Sequence, residues 1–154
     1  MTDPIARESE RREDSILKVA SALHEDWRKT RKKEDGSFEP RMKTTKDNVW
    51  IIRKGTDQVD IANTNFEDLP ADWQKENHEA AIVVVDILNK YENLDLTKEE
   101  TYNAVGDEIH KAWLTRNSWA AGGELDVPFV DLPQNEKDKD INQIIIAQKE
   151  AELE

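Results

Sequence analysis

Ile109-His110-Lys111-Ala112-Trp113, followed by Phe129-Val130-Asp131-Leu132-Pro133, repeats two signatures already present upstream, Leu23-His24-Glu25-Asp26-Trp27 and Phe66-Glu67-Asp68-Leu69-Pro70. The signatures come in the same order, so the chain reads as two copies of one small unit. The first copy takes residues 4–92 and the second 97–152, within a single domain of 1–154. His24 and Leu69 are 45 residues apart, whereas His110 and Leu132 are 22 apart, so the first copy carries an insertion of 23, placed within 34–58. Two copies of helix, loop and helix are expected to bury their apolar faces about a pseudo-twofold axis, as isologous interfaces do. The expected fold is mainly α, a pseudo-twofold pair of helix-loop-helix repeats with a small β-hairpin in the first repeat.

Periodicity supplies the elements. Asp3-Pro4 reads as a cap and first helical position. Ile16, Val19, Ala20, Leu23 and Trp27 recur at helical spacing, predicting a helix from near 5 to about 32 with a possible break at Asp14-Ser15. Val49-Trp50-Ile51-Ile52 and Val59-Asp60-Ile61-Ala62 are β-prone runs around the turn residues Lys54-Gly55-Thr56-Asp57, which predicts a hairpin. A second helix begins near Ala71 and is apolar around most of its circumference from Ala80 to Tyr91; its β-branched run leaves a strand as the minor alternative. Thr97-Lys98-Glu99-Glu100 has the form of a capping box and opens a third helix ending near Asn117. A fourth carries Ile141, Ile144, Ile145 and Ile146 toward Leu153, after which the acidic end is expected to fray.

Composition narrows the classes. The net charge of −12 opposes general nucleic-acid binding, where Lys and Arg contacts to phosphate dominate affinity. Residues 28–54 nevertheless hold ten Lys or Arg against four acids, a net of +6 that leaves −18 for the rest. Such asymmetry marks either a surface for an anionic partner or a solvated loop. No run approaches the roughly 18 apolar residues of a membrane helix, and the start of the chain has no signal-peptide core. The expectation is a cytoplasmic protein away from the membrane. Without cysteine there are neither disulfides nor thiolate sites.

The second copy also shows His110, Trp113, Trp119, Gly122, Val127, Pro128, Phe129, Leu132, Pro133, Glu136, Lys137 and Asp140, a His-x-x-Trp, then Trp and Gly, then Val-Pro-Phe-x-x-Leu-Pro with Glu-Lys and Asp. This pattern resembles the repeat of ryanodine receptors and of some small bacterial proteins, the RyR domain. The first copy retains His24, Trp27, Phe66, Leu69, Pro70 and Lys75; it lacks the Pro before Phe66, and Gly36-Ser37-Phe38 replaces the Gly-Trp-x-Tyr-Gly pattern. The resemblance implies tandem, mostly helical modules that bind partners or ligands without catalysis; no channel or calcium function is carried over.

His24 and His110 each precede a Trp by three residues and share a helix face with it. Either they bind a ligand, or each imidazole caps a neighbouring loop carbonyl, as expected of a repeated structural signature. They lack the short His-to-His spacing of a helical zinc motif. No nucleophile elbow and no phosphate-cradling glycine loop is present, so an enzyme and a cofactor are not expected. Trp119, beside Gly122-Gly123, is either a lid over the core or an anchor for a partner. Arg31 and Arg116, one turn beyond the two Trp, either grip an anion or favour the helix C-termini.

The leading reading is a non-enzymatic protein-interaction module contacting a protein partner through the basic insertion and the Trp119 loop. The second is a sensor for a nucleotide or other small anionic ligand held between the copies by His24, Trp27, Arg31, His110, Trp113, Arg116 and Trp119. The third is an acidic mimic of nucleic acid, supported by net charge and opposed by the +6 segment.

Overall fold

In the computed structural model, which describes residues 4–152, five α-helices and one two-stranded antiparallel sheet give the expected mainly α fold with a small β element. Helix α1 (Pro4–Lys29) runs unbroken through Asp14-Ser15 and buries Ile16, Val19, Ala20, Leu23 and His24 along one side. The proposed cap at Asp3 lies outside the described residues.

The insertion departs from expectation. Val49-Trp50-Ile51-Ile52 is not a strand but lies in a helix, α2 (Asn48–Lys54), because both of its ends are capped. The Asp47 side chain accepts from the Trp50 N–H at 3.3 Å, and Gly55, at φ 73°, donates its N–H to the Ile51 carbonyl. Those two caps outweigh the β-propensity of Val and Ile, which chiefly records packing on a sheet. The expected hairpin turn at Gly55 is thus a helix stop. The sheet pairs β1 (Met42–Thr44) with β2 (Gln58–Asp60), Lys43 standing opposite Val59. Ile61 and Ala62 leave the strand for a 3-10 turn that Asp60 caps.

Helix α3 (Ala71–Lys90) buries Ala81, Val84, Val85 and Ile87, and its β-branched run is helical throughout. Helix α4 (Glu99–Arg116) lacks the expected capping box, since the Thr97 hydroxyl and N–H both donate to Asp95, at 2.6 and 3.0 Å. An ionised acceptor two residues upstream competes successfully for Thr97. Helix α5 (Gln134–Glu152) buries Ile141, Ile144, Ile146 and Ala147, while Ile145 points outward; Leu153 lies outside the described residues.

The chain gathers into two compact units, Met1–Glu79 and Ala80–Glu154, with the boundary inside α3. In the first unit α1 packs on a 3-10 turn, Phe66–Asp68. In the second, α4 packs on α5 and on the matching turn, Phe129–Asp131. The two turns are built alike. Leu69 donates its N–H to the Phe66 carbonyl and Leu132 to that of Phe129, and the carbonyls of Pro70 and Pro133 receive the N–H groups of Trp73 and Gln74 in α3 and of Glu136 and Lys137 in α5. Phe and Leu thereby enter the core while Pro fixes the start of the next helix. Gly106 on α4 allows the closest approach: a Cβ there would lie 2.3 Å from the Phe129 ring.

Candidate functional site

Each unit holds the same His–Trp arrangement. On α1, the His24 Nε2 donates to the Thr64 carbonyl at 2.7 Å; on α4, the His110 Nε2 donates to the Leu125 carbonyl at 2.8 Å. A carbonyl only accepts, so these bonds place a proton on Nε2 of both rings. Each imidazole stacks on the indole three residues later, with centroids 5.8 Å apart for His24–Trp27 and 5.9 Å for His110–Trp113. Both histidines are buried. Their Nε2 atoms hold loops onto helices, as expected if the repeated signature is structural.

The two sites differ at the other ring nitrogen. His110 Nδ1 lies 3.5 Å from Asp140 of α5, a buried carboxyl that burial pushes up to about 6, with His110 acting in the opposite direction. Glu136 raises it further, whereas Arg116 and Lys139 lower it. Seven residues beyond Pro70, where Asp140 stands beyond Pro133, the first unit has Asn77. Burial lowers the His24 pKa below 6.5, so this ring is neutral near pH 7; its bond to Thr64 works in the opposite direction but is the smaller effect. Asp140 entered the sequence reading only as one position of the resemblance; its 30-residue separation from His110 gives no local signal of the contact.

Arg31 is engaged by its own loop. Its Nε donates to the Glu39 carbonyl and its Nη2 to that of Pro40, both at 2.9 Å, and its guanidinium lies 5.5 Å from the Trp27 ring. Arg28, which the sequence reading counted only as charge, is a second anchor. Its Nε donates to the Ala62 carbonyl at 2.8 Å, its Nη1 reaches both Glu25 oxygens, and its guanidinium sits 4.5 Å over Phe38. The Glu25-x-x-Arg28 spacing was the available signal for part of this. Of the seven residues singled out by sequence, His24, Trp27 and Arg31 come together in the first unit, and His110, Trp113, Arg116 and Trp119 belong to the second.

Trp119 is not a lid. It is 75% exposed, on a 3-10 turn (Ser118–Ala120), edge-on to Trp113 at 5.7 Å and donating its indole N–H to Asn117. In the insertion, Val49 and Ile52 of α2 are 70% and 82% exposed, whereas Trp50 is buried and donates its indole N–H to the Asp68 carbonyl. The N-terminal end of α2 is tied to the start of α3, because Asp47 also accepts from the Ala71 N–H, and Asp72 accepts from Thr45 and from the Lys46 N–H. Beside it lies an open cleft of about 610 Å³ bordered by Arg28, Trp50, Lys54, Asp60, Asn65 and Asp68. Among the described residues, no group of three His, Asp or Glu is arranged to hold a metal ion, and no helix is long and apolar enough to cross a membrane.

No family model, curated protein or solved structure matches the chain.

Proposed function

We propose that this protein is a non-enzymatic protein-interaction module, a cytoplasmic adaptor of RyR-like design that uses the Trp119 loop and the basic insertion as contact surfaces. The observation that carries the reading is Trp119, a large aromatic left 75% exposed on a hydrogen-bonded turn. Trp is the residue most enriched among side chains that dominate binding energy, and a pre-ordered one loses little freedom on contact. The residues considered for chemistry support the same reading. His24, His110 and Arg31 already bond to loop carbonyls, which leaves their polar atoms less available to a ligand.

The test captures proteins from a lysate on immobilised wild-type chain and on Trp119→Ala, with thermal melts of both against nucleotides, simple anions and divalent metals. The expected result is a protein retained by the wild type and lost from Trp119→Ala, with flat melts. A ligand at about 100 times its dissociation constant adds roughly 2.7 kcal/mol, and each kcal/mol moves the midpoint of a chain this size by about 2–4 °C. A shift of several degrees with one small anion, and identical captures on both chains, would overturn the module in favour of the sensor.

A further inference from the structure

Two exposed surfaces of the chain are complementary to each other. On α2, Val49 and Ile52 stand one turn apart and face water, flanked by exposed Lys46, Arg53 and Lys54. Arg53 is attracted by the nearby Asp47 carboxylate, which backbone hydrogen bonds and, secondarily, the Arg53 charge hold below the usual carboxylate range. Asp47, the one acid within this stretch, accepts hydrogen bonds from the backbone N–H groups of Trp50 and Ala71. The second surface is the loop at 117–131, with Trp119 exposed and Glu124, Asp126 and Asp131 also exposed; it contains no Lys or Arg. One segment joins an exposed apolar pair to basic side chains, the other an exposed aromatic to acidic side chains, of which Asp126 accepts from the Gly122 N–H. An apolar centre within a polar rim is the anatomy of a protein–protein contact.

Like surfaces cannot pair here, since α2 against α2 sets cation on cation and loop against loop sets acid on acid. The unlike pair satisfies both charge and apolar contact. We propose that α2 of one copy receives the Trp119 loop of a second copy, so that the chain associates head to tail. Such a contact is heterologous, and it closes into a ring or extends as a filament according to the rotation between neighbours. This inference rests on the interaction-module reading and names the partner as a second copy of this chain.

Sedimentation velocity on the purified chain tests it, over rising concentration and at low and high salt. The mass is expected to rise above the 17.8 kDa of one chain as concentration increases, and to fall back in high salt, which screens exposed charge. Trp119→Ala should weaken association at least about tenfold, and the double variant Arg53→Glu/Lys54→Glu should abolish it. Both variants alter exposed side chains, and circular dichroism checks that each keeps its helices. The decisive arm mixes the two. Trp119→Ala retains the basic helix and Arg53→Glu/Lys54→Glu retains the loop, so the mixture should form pairs of about twice the single-chain mass and stop there. A monomer at every concentration overturns the proposal, as does association that neither variant reduces or a mixture that stays monomeric. A monomeric chain that still loses a captured protein on Trp119→Ala overturns self-docking and leaves the module reading standing.

Discussion

His24 and His110 make the same two contacts in their respective units, a bond to a loop carbonyl and a stack on a Trp, yet among the described residues only His110 has a carboxylate within 3.5 Å of its other nitrogen. The shared contacts account for architecture: they close a loop over a helix at the place where a backbone carbonyl would otherwise be buried without a donor. The difference is electrostatic. Counting from the Pro of each turn, Asn77 stands in the sequence where Asp140 stands in the second copy, so the register offers an amide in one copy and a carboxyl that burial pushes up to about 6 in the other.

Removing each imidazole separates the two roles. At pH 7, His110→Ala strands the Leu125 carbonyl and also removes the group that pulls the buried Asp140 carboxyl down, so its cost exceeds that of a stranded carbonyl alone. His24→Ala strands the Thr64 carbonyl, for about 1–3 kcal/mol, and removes a weaker interaction with the Ile61 backbone. Urea unfolding at pH 7 is expected to show the larger loss for His110→Ala, and repeating it at pH 5 should narrow the gap as Asp140 takes up a proton. Equal losses at both pH values would show that the carboxylate contributes nothing to the difference.

The pH response has a definite sign. The Asp140 carboxyl is held near 6 in the fold and returns to an ordinary value of 3.8 on unfolding, so the folded chain holds the extra proton between those values. Its stabilising contribution is complete below about pH 3.8 and is lost as pH rises through 6. A displacement of that size corresponds to at most about 3 kcal/mol. Asp140→Asn should remove this dependence, with an amide still able to donate to the His110 Nδ1. The free energy of unfolding of the wild type minus that of Asp140→Asn is expected to fall from pH 4 to pH 7. In the reciprocal change, Asn77→Asp, NMR titration should show the His24 pKa rising. A wild type and Asp140→Asn with parallel pH profiles would remove the titratable pair from the account.

What the sequence disclosed follows from how local each interaction is. The Phe-x-Asp-Leu-Pro turns were legible because Leu69 and Leu132 bond three residues back and Pro70 and Pro133 sit at the start of a helix. The His–Trp stacks were legible because both partners share one helical face. Val49, Ile51 and Ile52 misled because their β-propensity points to a strand and Gly55 suits a hairpin turn as well as a helix stop, whereas the cap at Asp47 decides for the helix. Thr97-x-x-Glu100 misled in the opposite sense, since Asp95, which lies outside the capping-box spacing, takes the Thr97 hydroxyl. The bonds from Arg31 to Glu39 and Pro40, and the approach of Asp140 to His110, depend on loop paths and helix packing that no local pattern encodes.

The smallest expected effect concerns the floor beneath each Phe. In the register that aligns His24 with His110, Ala20 of α1 corresponds to Gly106 of α4, and both residues are buried. A methyl group on Gly106 would meet three atoms of the Phe129 ring at 2.3 to 2.6 Å, and that ring, being wholly buried, has nowhere to retreat. Two effects oppose each other in Gly106→Ala: alanine favours a helix by about 1 kcal/mol, while overpacking costs about 1–3 kcal/mol. Contact with ring carbons instead of the end of a flexible chain places the cost at the upper end, so a net loss of about 1–2 kcal/mol is expected. Ala20→Gly relieves no clash and should lose about 1 kcal/mol through helix propensity. Shrinking the ring distinguishes the two: Phe129→Leu combined with Gly106→Ala should cost less than the sum of the single changes, because the smaller side chain makes room for the methyl. Phe66→Leu combined with Ala20→Gly offers no such relief, so its costs should simply add. If Gly106→Ala stabilises the chain, the Phe129 ring has room to yield, and the close approach that sets α4 apart from α1 is not required by the fold.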